Sequence, residues 1–264
     1  VYLDPLPPNN SIPGASTPGI TADRHCDGYY AFPARLRVNW VSRFCTSGKL
    51  LEVGPGPGHL LAAARARGFE VAGVDPNPAS ARRIRERLGI EVELATIETS
   101  ALPDRAFDVV VHVDLLAHFD DPVLALRAMA RRLRPGGHLC FEVGLTGGIS
   151  PLWYRALGRL DIPYHRWMFS REAVERVLAR AGLRVVGARR YGLAPAVALI
   201  LARRATGELA MEIAGHPHDP HGLPPVENAA HRLYDRLMHV LRYRVGRLAP
   251  DVGPQTMLFA ARAA

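Results

Sequence analysis

Leu50-Leu-Glu-Val-Gly-Pro-Gly-Pro-Gly58 decides how the rest of the chain is read. A short apolar run, Lys49–Val53, leads into three glycines spaced G-x-G-x-G, and a helical pattern over His59–Arg67 follows and stops at Gly68. Glycines between a strand and a helix let the backbone turn tightly and come close to a ligand. The helix start adds free N–H groups and partial positive charge. A dinucleotide fingerprint, G-x-G-x-x-G, needs glycine at the sixth place. That place is His59, so the usual nicotinamide-binding turn is not expected. Acidic Glu52 stands two residues ahead of the first glycine.

Outward from the turn, strands and helices alternate. Strands are expected at 49–53, 70–74, 91–95, 107–113, 138–143, 183–188 and 255–261. Asn77 caps a helix with Pro78 at its first position, and Asp121 with Pro122 opens another, as side-chain acceptors and fixed-φ prolines favour. Ser170 begins a helix that ends at Gly182, and Pro33–Phe44 reads as a helix ahead of the first strand. This alternation predicts an α/β fold: a doubly wound, mostly parallel seven-stranded sheet, Rossmann-like, with helical lid insertions. Ligand chemistry then belongs at the carboxyl ends of the strands. The expected organisation is an N-terminal arm and lid helix over 1–46, then one α/β domain over 47–264. Its rhythm is broken by insertions at 144–169 and 192–254, both candidates for a lid over substrate.

Four ordered stretches resemble the class I S-adenosylmethionine-dependent methyltransferases. They are Leu50–Gly58, Val74-Asp-Pro-Asn-Pro78, Phe107–Pro122 and Leu133-Arg-Pro-Gly-Gly-His-Leu139, covering about residues 33–190. The likeness is to the subgroup of ubiquinone-biosynthesis and natural-product small-molecule methyltransferases, whose upstream P-x-R-L is similar to Pro33-Ala-Arg35-Leu36. The resemblance implies S-adenosyl-L-methionine as cofactor. Gly54, Gly56 and Gly58 would line its methionine moiety, Glu52 would orient the turn and the amino group, and Arg35 would meet the carboxylate. Asp75 would bind the ribose with Pro76 beside the adenine. Thr96 and Ile97 would meet the adenine, and His112 and Val113 the methionine end through their backbone.

Methyl transfer needs an acceptor held in line with the methyl. A hydroxyl acceptor also needs its proton removed by a base within hydrogen-bond reach. The expected bases are His165, in Pro163-Tyr-His-Arg-Trp-Met-Phe-Ser170, and His118, which follows the fourth strand. Relatives often carry Glu-His where this chain has Ala117-His118. Trp153, Tyr154, Tyr164 and Trp167 are expected to wall a pocket for a planar or apolar acceptor. The expected reaction is O-methylation of a small molecule. Methylation at nitrogen or carbon is the alternative, as is a protein of this fold that binds the cofactor without transferring methyl.

Other features are weaker. The net charge is +8, but of 33 basic residues only Lys49 is lysine, and the arginines spread over the whole chain. Nucleic acid is therefore not the expected partner. His216-Pro-His-Asp-Pro-His221 has metal-ligand chemistry but reads as a proline-broken loop, and no metal is expected. Cys26, Cys45 and Cys140 form no C-x-x-C pair, and the N-terminus is unlike a signal peptide, which points to the cytoplasm. Residues 231–248 carry an apolar stripe (Leu233, Leu237, Leu241, Val245, Leu248) opposite arginines. A lid helix packed on the core is expected there, ahead of a homodimer contact or a membrane-surface helix.

Overall fold

A computed structural model of the chain describes residues 27–145, 166–191, 240, 243–248 and 255–264. The elements in chain order are α1 (Asp27–Val41), β1 (Gly48–Val53), α2 (His59–Ala66), β2 (Phe69–Val74), α3 (Pro78–Leu88) and β3 (Val92–Glu93). They continue with β4 (Phe107–Val113), α4 (Pro122–Arg132), β5 (Leu133–Leu145), α5 (Arg171–Arg180), β6 (Leu183–Tyr191) and β7 (Gln255–Ala263). Two 3₁₀ turns, Leu116–His118 and Val245–Leu248, complete them.

The seven strands form one sheet in the order β3-β2-β1-β4-β5-β7-β6. β1 to β5 pair in parallel, and β7 runs antiparallel between β5 and β6. β1 and β4 are neighbours, yet the chain visits β2 and β3 between them. Connections leaving β1 and β4 therefore diverge, which opens a crevice at their carboxyl ends. The glycine turn leaves β1 there, and the Leu116–His118 turn leaves β4.

Central strands covered on both faces should be apolar on both faces, and β4 is buried at every position from Phe107 to His112. Leu51, Val53, Val110, Leu139, Phe141, Val143 and Phe259 point to one side, against Leu126 and Met129 of α4 and Val174 and Leu178 of α5. Leu50, Val109, Val111, Cys140 and Leu258 point to the other, against Ala34 and Val38 of α1, Leu61 of α2 and Ile84 of α3. The helix starts follow the capping chemistry. Asn77 Oδ1 accepts from Ala79 N at 2.9 Å, Asp121 Oδ1 from Val123 N at 2.8 Å, and Ser170 Oγ from Ala173 N at 3.2 Å.

Several boundaries differ from expectation. α1 starts at Asp27 and runs through Pro33, ending at Val41. β3 keeps only two of its five expected residues. β5 extends back across Pro135-Gly-Gly137, which were expected as a turn. Within 231–248 the described residues place Val240 and Val245 at the surface, 45% and 46% exposed, while Tyr243 is buried. Val245 therefore does not belong to a buried stripe, because the chain has tightened into a 3₁₀ turn by that point. No helix among the described residues is long and apolar enough to cross a membrane.

Candidate active site

The turn after β1 is built on left-handed backbone. Gly54, Gly56 and Gly58 have φ of 65°, 51° and 81°, a region that costs an L-residue roughly 1–2 kcal/mol. Gly54 N donates to Val74 O at 2.9 Å and Gly58 N to Pro55 O at 2.8 Å, which closes the turn against β2. A Cβ on Gly58 would come within 3.0 Å of Ile84 and Leu88, and one on Gly54 within 3.0 Å of Leu115. A Cβ on Gly56 would meet nothing within 4 Å. The first and third glycines thus let the post-β4 loop and α3 close in, and the middle one leaves the backbone open.

Two acids frame this turn. Glu52 is 3% exposed, and burial pushes its carboxyl well above the usual range, against the field of Arg37 and a hydrogen bond from Leu61 N–H. Its Oε2 has no partner among the described residues. Asp75, just past β2, is also raised by burial, opposed by hydrogen bonds from Asn77, Ser80 and Gly56. Asn77 N donates to Asp75 Oδ1 at 2.9 Å. The Ser80 hydroxyl lies 2.9 Å from Asp75 Oδ2 and 2.7 Å from Gly56 O. Asp75 therefore ties the glycine turn to the first turn of α3. Pro76 and Thr96 are exposed beyond it, whereas Ile97 is buried in the core on the α4 face.

Arg35 is exposed on α1, and the arginine of that helix which turns inward is Arg37. Its Nε donates to Glu142 Oε2 at 2.9 Å and its Nη2 to Glu142 Oε1 at 2.7 Å. Burial opposes the charge of Arg37, but the Glu142 carboxylate outweighs it and the guanidinium stays protonated. Sequence reading missed this pair. Its partners lie 105 residues apart, and only the register of β5 brings them together.

His112 ends the buried run of β4. Its ring stacks on Phe141 at 4.9 Å, 15° from parallel, and meets Phe119 edge-on at 6.5 Å. Neither ring nitrogen has a partner among the described residues, and burial pushes its pKa down to about 3. The ring is therefore neutral. Val113 is half-buried, and Asp114 takes a left-handed φ of 52° while its N–H donates to Glu142 O at 2.8 Å.

The loop after β4 is bolted to the segment before α5. Arg166 N donates to Ala117 O at 2.9 Å, and Trp167 Nε1 donates to Phe119 O at 2.8 Å. Buried Arg166 also pairs with Asp120 at 2.9 Å. Trp167, an expected pocket residue, thus sits against the loop that carries the half-buried His118. Trp153, Tyr154, Tyr164 and His165 lie outside the described residues.

Residues 29–188 match the family described as a methyltransferase domain. The chain belongs to that methyltransferase family. Among curated relatives, the ubiquinone biosynthesis O-methyltransferase of Alkalilimnicola ehrlichii is 38% identical over 117 residues, which is 40% of this chain and 47% of that protein. The chain spans about half the length of the curated relatives it matches. A solved geranyl diphosphate methyltransferase in complex with SAM shares the fold, with TM-score 0.58 and 18% identity over 89% of this chain and 85% of that one. So does the [4+2]-cyclase SpnF, with TM-score 0.55 and 21% identity over 87% of this chain and 80% of that one. S-adenosylmethionine is the cofactor of the methyltransferase, and the residues present fit it. Three positive-φ glycines shape the turn at the strand end, with open space beside Gly56, and the buried Glu52 oxygen lacks a partner among the described residues that an ammonium would supply.

Proposed function

We propose that this methyltransferase transfers the methyl group of S-adenosylmethionine to a hydroxyl oxygen of a small molecule. The observation that carries the reading is the left-handed glycine turn at the switch between β1 and β4, with Asp75 fastened beside it. The names of the Alkalilimnicola ehrlichii and Pseudomonas putida relatives, both ubiquinone biosynthesis O-methyltransferases, support oxygen as the acceptor atom.

When bound, the cofactor supplies an electrophilic methyl on a sulfonium. The chain does the rest. Gly54, Gly56 and Gly58 receive the methionine end, and Glu52 faces its ammonium. Arg35 is the proposed reader of its carboxylate, with His112 and Val113 contributing backbone. Asp75 accepts from the ribose hydroxyls, Pro76 and Thr96 border the adenine, and Ile97 backs them from the core. The acceptor lies over the post-β4 loop, walled by Trp167 and, from the insertion, Trp153, Tyr154 and Tyr164.

A base removes the hydroxyl proton as the oxygen attacks. His118 and His165 are the proposed bases. They are the sequence neighbours of Ala117 and Arg166, which share a 2.9 Å backbone hydrogen bond. His118→Ala and His165→Ala are expected to cut release of S-adenosylhomocysteine, typically 10²–10⁴-fold for loss of a general base, with cofactor affinity unchanged. Full turnover in both variants would remove the base from the mechanism.

A second reading has one observation in its favour: the fold is shared with a [4+2]-cyclase. On that reading this chain would bind the cofactor without transferring its methyl. Stoichiometric S-adenosylhomocysteine and methylated product separate the two readings.

A further inference from the structure

A cleft of about 620 Å³ opens on the α1 face of the sheet, away from the glycine turn. Trp40, Arg43 and Phe44 line it from the end of α1 and the turn beyond, Gly187 and Arg189 from β6, and Arg247 from the 3₁₀ turn at 245–248. With Arg190, also of β6, four arginines from three separate segments thus line one cleft, and no carboxylate among the described residues lines it.

The arrangement is centred on Trp40. The guanidinium carbons of Arg43 and Arg189 stand 5.5 Å and 5.4 Å from the centroid of its ring. The ring is held in place: it is 4% exposed, its Nε1 donates to Phe259 O at 3.5 Å, and Phe44 meets it edge-on at 5.2 Å. Below it β6 changes register between Val185 and Gly187, and a Cβ on Gly187 would come within 2.7 Å of the Phe44 ring. The bulge and the missing side chain let the two aromatic rings settle on the strand, as bulges commonly re-aim an edge.

β6 is the edge of the sheet, and edge strands often carry charge to prevent pairing with another chain. That accounts for Arg189 and Arg190. It does not account for Arg43 and Arg247, which come from outside the strand and face the same space. Like charges gathered on one surface repel, and an anion among them reverses the sign. The guanidinium fork matches phosphoryl oxygens two at a time, which an ammonium does not.

We propose that this cleft binds a phosphate-bearing ligand, with Arg43 and Arg189 gripping its phosphoryl oxygens above Trp40 and Arg247 closing the third side. The same chemistry is presented by a free phosphorylated small molecule and by an anionic lipid headgroup.

Calorimetric titration with inorganic pyrophosphate at matched ionic strength tests it. Wild type is expected to saturate. R43Q/R189Q is expected to weaken binding at least about tenfold, equivalent to 1.4 kcal/mol. R43K/R189K, which keeps charge but loses the fork, is expected to fall between. All three are expected to bind S-adenosylmethionine equally, which shows that the variants are folded. Sedimentation with vesicles of equimolar phosphatidylglycerol and phosphatidylcholine separates the sources. Arginine-dependent pelleting assigns a lipid headgroup, and pyrophosphate binding without pelleting assigns a free phosphate. Absence of both saturation and arginine-dependent pelleting overturns the proposal. So does pyrophosphate binding by R43Q/R189Q that matches wild type.

Discussion

Buried ionisable side chains set the local costs of this site. Burial favours the protonated form of Glu52, against the field of Arg37. Its folded pKa lies above the unfolded one, so its contribution favours folding at low pH and is lost as pH rises through the folded value. Glu52→Gln is therefore expected to raise the thermal midpoint of the ligand-free protein at pH 8 while weakening S-adenosylmethionine. The gain should shrink toward zero below the ordinary carboxylate pKa of about 4.3. A lower midpoint at pH 8 would show that the carboxylate is stabilised where it lies. His112 works in the opposite sense. Its folded pKa, about 3, lies below the unfolded value of about 6.5. The contribution is fully present above pH ~6.5 and lost as pH falls toward the folded value. Denaturation curves of His112→Phe should lack that part of the acid loss. At neutral pH the variant should gain about 1 kcal/mol, because an unpartnered buried polar group costs ~1–3 kcal/mol. Gly58→Ala has two penalties, a φ of 81° and a Cβ within 3.0 Å of Ile84 and Leu88. It should lose ~1–2 kcal/mol of stability, and cofactor affinity with it; unchanged calorimetric binding would contradict the role given to the turn.

Elements show how much the sequence made legible. Wherever a cap and a proline stand together, as at Asn77-Pro78 and Asp121-Pro122, the helix begins where local chemistry predicts. Strand cores were legible for the same reason: β4 is a β-branched run, and such a run has to be covered on both faces. The glycine turn and Asp75 were legible because their spacing is local. What escaped depends on register between distant segments. The Arg37–Glu142 pair, the clamp of Arg166 on Ala117 and the bulge beneath Phe44 leave no local signature. Nor does Pro33 mark a helix start here, since α1 runs through it. Two predictions belong to this scale. Arg37→Met removes the two-bond ion-pair partner of buried Glu142, and loss of a buried partner costs ~3–5 kcal/mol. Arg37→Met/Glu142→Leu should recover much of that in chemical denaturation, and a double variant no better than the single would contradict the pairing account. Trp167→Phe removes the Nε1 bond to Phe119 O, so a stability loss near 1 kcal/mol is expected. Its cofactor affinity should stay at the wild-type value, because the proposed function puts the clamp on the acceptor side.

At the scale of the whole molecule, strand order does most of the work. A sheet ordered β3-β2-β1-β4-β5-β7-β6 places the crevice between β1 and β4 whatever the loops contain. In the proposed function the glycine turn at that crevice chooses the ligand. The same fold supports more than one chemistry, so the decisive question is what the turn binds. Calorimetric titration of the wild-type chain with S-adenosylmethionine, alongside NADH and alongside Asp75→Ala, answers it. The account predicts one-to-one binding of S-adenosylmethionine, no binding of NADH, and at least about a tenfold loss, ~1.4 kcal/mol, in Asp75→Ala. Binding of NADH, or S-adenosylmethionine binding untouched by the loss of Asp75, would contradict it.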